Sequence, residues 1–447
     1  MYILYRLLNF VLMPLALNVT VIPAFRESFS GGARIAIYII IGVYYLIFSI
    51  MPSVRKCPSL RLKIMDGGNE LLLNMVVTAI FSIGWVTSSI LLFSFGNMEL
   101  GYFIAHLVIL AAGLFVMFWN GIIRIYCTSA QLGIKLRVLG IILGFVPIAN
   151  IVMLIIIFGK SRGECRREIN RARRNEARAE KQVCKTKYPI LLVHGVFFRD
   201  SKLLNYWGRI PEELERNGAK IYYGEQQSAA SVSDSAEELA ERIKYIVKKT
   251  GCEKVNIIAH SKGGLDSRYA ISKLDCAQYV ASLTTINTPH QGCIFAEYLL
   301  NNAPEAFVKT IEDTYNAAFR RLGDINPDFL AAVRSLTNSA CQQFNKDVPN
   351  AEGVVYQSVG SRAARARSGK FPLNVSYPIV KKFDGPNDGL VALSAQEWGE
   401  SFTQLIPKGR HGITHADVID LNRVDFKDFD VREFYVEMVS KLRERGL

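Results

Sequence analysis

The octet at residues 258–265 constrains the fold of this chain more than any other feature. It reads Ile-Ala-His-Ser-Lys-Gly-Gly-Leu, follows an alternating apolar run and precedes a helical stretch. Small residues flank Ser261, with Ala259 two positions before it and Gly263 two positions after it, and they allow a sharp turn from strand to helix. Such a turn holds the serine hydroxyl at the end of a sheet, so Ser261 is the candidate nucleophile.

Strand-like and helical segments alternate through residues 188–447. The pattern predicts strands at 189–193, 219–223, 254–258, 281–287 and 353–359, and helices at 203–217, 234–250, 264–274 and 428–445. Helices of this length between strands predict a mostly parallel sheet with helices on both faces. The helical and partly apolar stretch at about 294–346 is predicted to form a lid or cap. The alternative is a set of packing helices that do not move.

The first part of the chain has a different composition. Four stretches, near 7–24, 35–51, 71–94 and 101–123, are long and apolar enough to cross a bilayer as helices, which takes about 20 residues. A fifth apolar stretch, 138–158, contains Pro147 and Asn150. These patterns predict an α-helical membrane domain at residues 1–159, with four or five hydrophobic helices.

The distribution of Lys and Arg predicts the topology of this domain. With four spans and a re-entrant hairpin at 138–158, 19 basic residues of residues 1–187 lie inside and 2 lie outside. If all five stretches cross, the split is 13 inside and 8 outside. Because cytoplasmic loops are rich in Lys and Arg, the first arrangement is favoured. We therefore expect a multi-pass protein of the cell membrane with its C-terminal domain in the cytoplasm.

The net charge of +13 does not indicate a nucleic-acid partner, because much of it is concentrated beside the membrane domain. Residues 160–187 hold eleven Lys and Arg, which is typical of a juxtamembrane linker that binds lipid headgroups. A solvated helical linker is the alternative. Eight scattered cysteines predict reduced thiols and no zinc site. His106, within the fourth apolar stretch, is expected to make a helix–helix contact.

Candidates for a catalytic acid and base follow Ser261 along the chain. The acid is Asp388, in a Gly-Pro-Asn-Asp-Gly-Leu-Val segment, with Asp384 as its rival. The base is His415, in a Gly-Ile-Thr-His-Ala-Asp segment, with His411 as its rival. A histidine oriented by a carboxylate can take the proton of a serine hydroxyl, and the chain order Ser, Asp, His is one of the known orders of such triads.

A second loop is predicted to complete the site. The first strand of the C-terminal domain runs into Val193-His194-Gly195-Val196. This arrangement can bring a backbone N–H beside the nucleophile, so the oxyanion donors are predicted to be the backbone N–H groups of Val196 and Lys262. His194 is interpreted as a structural loop residue, and the side chain of Lys262 need not take part.

Taken together, these motifs resemble the bacterial triacylglycerol lipases, a branch of the α/β-hydrolases. The resemblance runs in order through Tyr188-Pro-Ile-Leu-Leu-Val-His-Gly, Tyr206-Trp207-Gly, the segment 254–269, Leu283-Thr-Thr-Ile-Asn-Thr-Pro-His-Gln-Gly292, Phe344-Asn345, Asn387-Asp-Gly-Leu-Val391 and His415-Ala-Asp417 with Asn422. It implies an α/β-hydrolase domain at 188–447, with a triad of Ser261, Asp388 and His415 and the first oxyanion donor at Val196.

Two departures from the family pattern stand out. Family members are typically secreted, whereas this chain has a membrane domain. Many of them hold a structural calcium through two aspartates. Asp417 matches one of these, but residues 353–383 contain no aspartate for the other and include Arg362, Arg365 and Arg367. We therefore expect no cofactor and no calcium.

The residues and the resemblance together predict a membrane-anchored serine hydrolase. It would cleave carboxylic esters through an acyl-enzyme, with glycerides or phospholipids of the bilayer as substrates. The alternatives are an acyltransferase or thioesterase of the same fold, or a non-catalytic membrane scaffold.

Overall fold

A computed structural model describes residues 2–21, 29–96, 98–196, 205–322 and 324–447. The chain divides into two compact units, Met1–Glu176 and Ala177–Leu447. This boundary lies inside the segment 160–187 that was predicted to link the membrane and catalytic domains.

The described residues of the first unit form helices that are joined by loops. Its helices are α1 (Tyr2–Asn18), α2 (Gly31–Ile50), α3 (Leu60–Ser94), α4 (Leu100–Thr128), α5 (Gly133–Leu143) and α6 (Ala149–Arg178). Three of the helices in the described ranges, α2, α3 and α4, are long and apolar enough to cross a membrane. They correspond to the second, third and fourth predicted spans.

The first and fifth apolar stretches differ from these three. Helix α1 has 17 residues, fewer than the roughly 20 that a span requires, and residues 22–24 of the first predicted span lie outside the described residues. The fifth stretch is interrupted: α5 ends at Leu143 and α6 begins at Ala149, with Pro147 between them. The number of spans and the cytoplasmic orientation remain predictions.

Polar side chains join helices inside the first unit. His106 of α4 makes the expected helix–helix contact, because its Nε2 lies 3.0 Å from Asn18 Oδ1 at the end of α1. The amide of Asn18 also donates to Ser82 Oγ of α3 at 2.7 Å. These side chains are all buried, so their hydrogen bonds fix how α1, α3 and α4 contact one another.

The second unit contains the predicted parallel sheet. Its strands are β1 (Ile190–Val193), β2 (Ile221–Tyr223), β3 (Val255–His260), β4 (Val280–Ile286), β5 (Val355–Gly360) and β6 (Ser401–Gln404). Their order is β2-β1-β3-β4-β5-β6, and each neighbouring pair is parallel. The first five strands were predicted from the sequence, and β6 was not.

Helices cover both faces of this sheet. They are α7 (Ile210–Arg216), α8 (Val232–Thr250), α9 (Lys262–Lys273), α10 (Ile294–Asn302), α11 (Glu305–Leu322), α12 (Phe329–Arg334), α13 (Asn338–Asp347), α14 (Leu373–Asp384) and α15 (Val431–Glu444). Alternate residues of β1 belong to two separate cores, Ile190 and Leu192 to one and Leu191 and Val193 to the other. A strand with both faces buried is typical of a parallel sheet between two helical layers.

Helices α10 to α13 occupy the stretch 294–346 that was predicted to form a lid. They lie between β4 and β5 in the chain. Asp324, after α11, accepts hydrogen bonds from Ser228 Oγ at 2.8 Å and Ala229 N at 3.0 Å. This contact attaches the end of α11 to the loop before α8. Whether these helices move remains a prediction.

Candidate active site

The turn between β3 and α9 has the geometry that the octet predicts. Ser261 adopts a φ of 55° and a ψ of −131°, an unusual backbone conformation for a residue with a side chain. Glycine is needed at position 263, because a Cβ there would collide with the carbonyl oxygen of His194. Local strain of this kind is common at functional sites, where the surrounding structure maintains it. Ser261 is held by its backbone, since its N–H donates to Ile286 O at 3.0 Å.

The predicted acid and base are in direct contact. His415 Nδ1 lies 2.7 Å from Asp388 Oδ2, and the backbone N–H of His415 donates to Asp388 O at 2.9 Å. The carboxylate is fully buried and the histidine is nearly so. A carboxylate bonded to Nδ1–H leaves Nε2 as the proton acceptor, which is the tautomer that general-base catalysis requires.

Both rivals are engaged elsewhere. The carboxylate of Asp384 accepts the backbone N–H groups of Ile294 and Phe295 at 2.9 and 3.0 Å, so it caps the start of α10. His411 is partly exposed, and its Nε2 lies 3.2 Å from Asp417 Oδ2. The geometry therefore favours Asp388 and His415 as the acid and base.

Three further donors surround Asp388, and the sequence reasoning assigned a role to none of them. Asn287, at the end of β4, donates from Nδ2 to Asp388 Oδ2 at 2.7 Å. The backbone N–H groups of Leu390 and Val391 donate to Oδ1 at 2.9 and 2.8 Å. Hydrogen bonds to an ionised group are stronger than neutral ones, so these donors fix the carboxylate in place. Asn287 lies within the segment 283–292 that carried the family resemblance, which was its only signal.

His260, the residue before Ser261, connects the turn of Ser261 with the Asp388–His415 pair. The ring of His260 lies against the ring of His415, with centroids 4.4 Å apart. Burial, together with the adjacent His415, holds the pKa of His260 well below its ordinary value, so this ring is neutral. Its Nδ1 lies 2.6 Å from the hydroxyl of Tyr206, which also accepts the backbone N–H of Gly195 at 3.1 Å. A neutral ring adds no positive charge beside a protonated His415.

Within the part of the chain that the structure describes, no hydrogen bond joins Ser261 Oγ to His415. In unliganded active sites such bonds are often long and tighten only when substrate is bound. The assignment of Ser261, Asp388 and His415 as a triad therefore remains a prediction that the geometry favours.

The residues of both predicted oxyanion donors are neighbours of Ser261, Lys262 along the chain and Val196 in the lining of the same cavity. Lys262 is the first residue of α9, so its backbone N–H is one of the N-terminal donors that have no acceptor within the helix. Val196 lines the same cavity as Ser261. The Lys262 side chain points elsewhere: its buried Nζ lies 2.8 Å from both Asp266 Oδ1 and Ser235 Oγ. Phe197 and Phe198, which follow Val196, lie outside the described residues.

His194 has the structural role that was expected of it. Its two ring nitrogens lie 2.8 Å from Gly195 O and 3.0 Å from Gln226 O, and the side chain is completely buried. Burial lowers the pKa of His194 to about 4. The neutral ring donates to one of these carbonyl oxygens and so supports the loop that ends at Val196.

An apolar cavity leads away from the serine. It encloses about 310 Å³, near the lower end of the roughly 300–1,000 Å³ of small-molecule sites. Its wall includes Ser261 and Val196, and then side chains of the predicted lid such as Leu300, Tyr315 and Val333. An apolar space that is bordered by a candidate nucleophile can accept a hydrocarbon chain.

Asp417, which matches one calcium ligand of the resembled family, has other partners in the structure. Oδ2 of Asp417 accepts the backbone N–H of Thr414 at 3.1 Å and lies 3.2 Å from His411 Nε2. Ala363, which lies in the arginine-rich stretch, forms an isolated β-bridge with Gly412. Within the described ranges, no group of three or more His, Cys, Asp or Glu side chains could hold a metal. No step below depends on one.

Comparison with known proteins identifies the architecture. Residues 188–406 match the family model described as the alpha/beta hydrolase fold. A triacylglycerol lipase of Pseudarthrobacter phenanthrenivorans is 35% identical over 178 residues, which are 37% of this chain and 55% of that protein. One of Burkholderia plantarii is 35% identical over 178 residues, 37% of this chain and 49% of that protein.

A third relative matches over a longer stretch. A triacylglycerol lipase of Vibrio cholerae is 28% identical over 288 residues, which are 59% of this chain and 89% of that protein. This chain spans about half the length of the first two relatives. The similarities confirm the resemblance to bacterial triacylglycerol lipases and the α/β-hydrolase fold that the sequence predicted.

Proposed function

We propose that this chain hydrolyses carboxylic esters of lipids at a membrane, since its residues 188–406 match the family model of the alpha/beta hydrolase fold. One observation carries the proposal: the buried Asp388–His415 pair lies beside the strained turn of Ser261, and Ser261 lines an apolar cavity. The relatives named triacylglycerol lipases support an ester as the substrate.

The reaction proceeds through an acyl-enzyme. His415 Nε2 takes the hydroxyl proton of Ser261 as Oγ attacks the ester carbonyl, and Asp388 stabilises the imidazolium that forms. The negative oxygen is held by the N–H groups of Val196 and Lys262. The alkoxide leaves with the proton of His415. Water then attacks the acyl-enzyme, with His415 again as base, and releases the acid and Ser261.

The cavity and the first unit support a lipid as the substrate. An acyl chain would fill the apolar cavity, whose lining offers little to a polar group. The three helices α2, α3 and α4 would hold the enzyme at the bilayer, where the effective concentration of lipid esters is high. We therefore propose glycerides or phospholipids as substrates and a membrane-anchored enzyme with its catalytic domain in the cytoplasm.

Hydrolysis of a panel of esters by the full-length protein tests this function. The wild type should release fatty acid from glycerides or phospholipids, and Ser261→Ala should lower the rate by several orders of magnitude. Ser339→Ala, which removes a hydroxyl from the exposed start of α13, is the matched control and should retain the rate. Activity that survives Ser261→Ala would contradict the proposal. Transfer of the acyl group to an alcohol in preference to water would identify an acyltransferase instead.

A further inference from the structure

Two helices beside the cavity expose apolar side chains to solvent. Helix α10 contributes Ile294, Tyr298 and Leu299. Helix α14 and the two residues before it contribute Phe371, Val375 and Ile379. Phe371 is the most exposed of them, at 81%. Val375 and Ile379 lie four residues apart on α14 and therefore on one side of that helix, and Phe371 lies in the turn before it. These six side chains are called the α10–α14 face below.

The two helices form one surface because they are joined at two points. Asp384, the last residue of α14, accepts the first backbone N–H groups of α10, from Ile294 and Phe295. The rings of Tyr298 and Phe383 are also in contact, with centroids 4.7 Å apart. The only carboxylate of α14 is therefore used to connect the helices.

The face is continuous with the catalytic cavity. Leu299 lines the cavity wall and is also 43% exposed, so the cavity approaches the surface at this side chain. On the other helix, Ser376 Oγ donates to Gly389 O at 2.5 Å, which attaches α14 to the loop of Asp388. An acyl chain that entered beside Leu299 would reach Ser261 without crossing a polar surface.

The surroundings of the face are basic. Residues 361–383 contain six Lys and Arg and no Asp or Glu. All six are exposed: Arg362, Arg365, Arg367, Lys370, Lys381 and Lys382. None of these six forms an ion pair with any residue that the structure describes. Lysine and arginine beside exposed apolar groups are typical of surfaces that lie in the interface of an anionic membrane, where each charge contributes about 1 kcal/mol.

We propose that the α10–α14 face binds the surface of a bilayer that contains anionic lipids and delivers the acyl chain of a bilayer ester to the cavity. This inference rests on the proposed ester hydrolase function. It assigns the contact with lipid to α10, which lies within the stretch predicted to form a lid, and to α14, which lies outside that stretch. The apolar side chains enter the interface, and the basic side chains contact the headgroups.

Removal of the apolar side chains is the first test. Full-length protein in vesicles is compared with the triple variant Phe371→Ser, Val375→Ser and Ile379→Ser on two substrates, a short soluble ester and a long-chain ester in the bilayer. The bilayer rate should fall at least tenfold, and the soluble rate should stay within twofold. The control, Tyr245→Ser with Ile406→Ser, removes exposed apolar groups outside the face and should change neither rate.

Removal of charge tests the headgroup contact. Lys370→Gln, Lys381→Gln and Lys382→Gln together should reduce the bilayer rate in vesicles with anionic lipid and leave it unchanged in purely zwitterionic vesicles. The control, Lys244→Gln, Lys248→Gln and Lys249→Gln, removes the same charge from α8 and should have no such effect. Equal loss in both variants would mean that net charge, and not this face, attracts the lipid.

Direct contact is measured by fluorescence quenching with brominated lipids. Phe371→Trp should add a quenched signal relative to wild type, and Tyr245→Trp should add an unquenched one. The wild-type reference removes the signal of Trp85 and Trp119, which lie in α3 and α4. This measurement does not depend on activity. If wild type hydrolyses no ester, the proposed function fails, and quenching still decides the inference.

Equal bilayer rates for the triple serine variant and wild type would overturn the inference. So would an unquenched tryptophan at position 371, or loss of the soluble and bilayer rates together. Dimers of wild type that become monomers in the triple variant would show that the face binds a second copy of the chain, which also overturns it.

Discussion

The buried ion pair beneath Ser261 makes one prediction that can be worked through in energy. Lys262 and Asp266 are 1% and 2% exposed at their side chains, and their charged atoms lie 2.8 Å apart. Asp266→Leu removes the carboxylate and leaves the ammonium of Lys262 buried with only Ser235 as partner. Breaking a buried pair in this way costs about 3–5 kcal/mol. Because 1 kcal/mol corresponds to about 2–4 °C in a domain of this size, the variant should unfold about 6–20 °C lower.

A double variant tests whether the lost stability comes from the unpaired charge of Lys262 or from the loss of the side chains themselves. Lys262→Met with Asp266→Leu replaces both groups by apolar ones, which is often neutral for a buried pair, so most of the lost stability should return. The assay heats full-length protein in detergent and then labels it with a fluorophosphonate, since labelling of Ser261 reports on the second unit alone. Glu241→Leu, which breaks the exposed Lys244–Glu241 pair of α8, is the control and should leave the midpoint unchanged.

Equal losses of stability in the single and double variants would contradict this prediction. That result would mean that the side chains contribute through packing and not through charge. Labelling of the double variant at low temperature should match the wild type, because the oxyanion donor at Lys262 is a backbone N–H.

Three further predictions concern the site. The pKa of His194 is lowered to about 4 from 6.5, so the unfolded chain takes up a proton that the folded one does not, and stability should fall by about 3 kcal/mol as pH drops from 6.5 to 4. His194→Gln should flatten this dependence in heat-challenge assays, and an unchanged slope would argue against it. Asn287→Ala removes a charge-assisted bond of about 1.5–3 kcal/mol to Asp388, so kcat on a soluble ester should fall about 10–100-fold with little change in KM. A normal kcat would show that Asp388 needs no support from β4. Val333→Trp narrows the cavity and should lower kcat/KM for long-chain esters at least tenfold relative to short ones, whereas an equal loss for all chain lengths would exclude Val333 from the acyl site.

The sequence predicted the parallel sheet because its strands carry strong local signals. Strand β3 is fully buried and apolar at four of its six positions, and the turn that follows it has a distinctive pattern of small residues. Strand β6 was missed because Ser401–Gln404 is short, polar at three of four positions and lies at the sheet edge. Helix α14 was missed because Pro372 and Pro378 lie at its start and within it.

The candidate site was also predicted only in part from the sequence. Ser261, Asp388 and His415 could be named because each lies in a local motif, and the choice over Asp384 and His411 required contacts between distant parts of the chain. The roles of Asn287 and Tyr206 depend on side chains that meet only in the folded sheet, so periodicity could not reveal them. The position of the α10–α14 face was equally hidden, because exposure on two separate helices leaves no pattern in the sequence.

The proposed function depends on Ser261 being a nucleophile that His415 and Asp388 activate. The most direct test is peptide mapping by mass spectrometry after full-length protein reacts with a fluorophosphonate. We expect a single adduct on Ser261 in wild type, none in Ser261→Ala, and a labelling rate lowered by orders of magnitude in His415→Ala. An adduct at another serine, or labelling that persists at the wild-type rate in His415→Ala, would contradict this expectation.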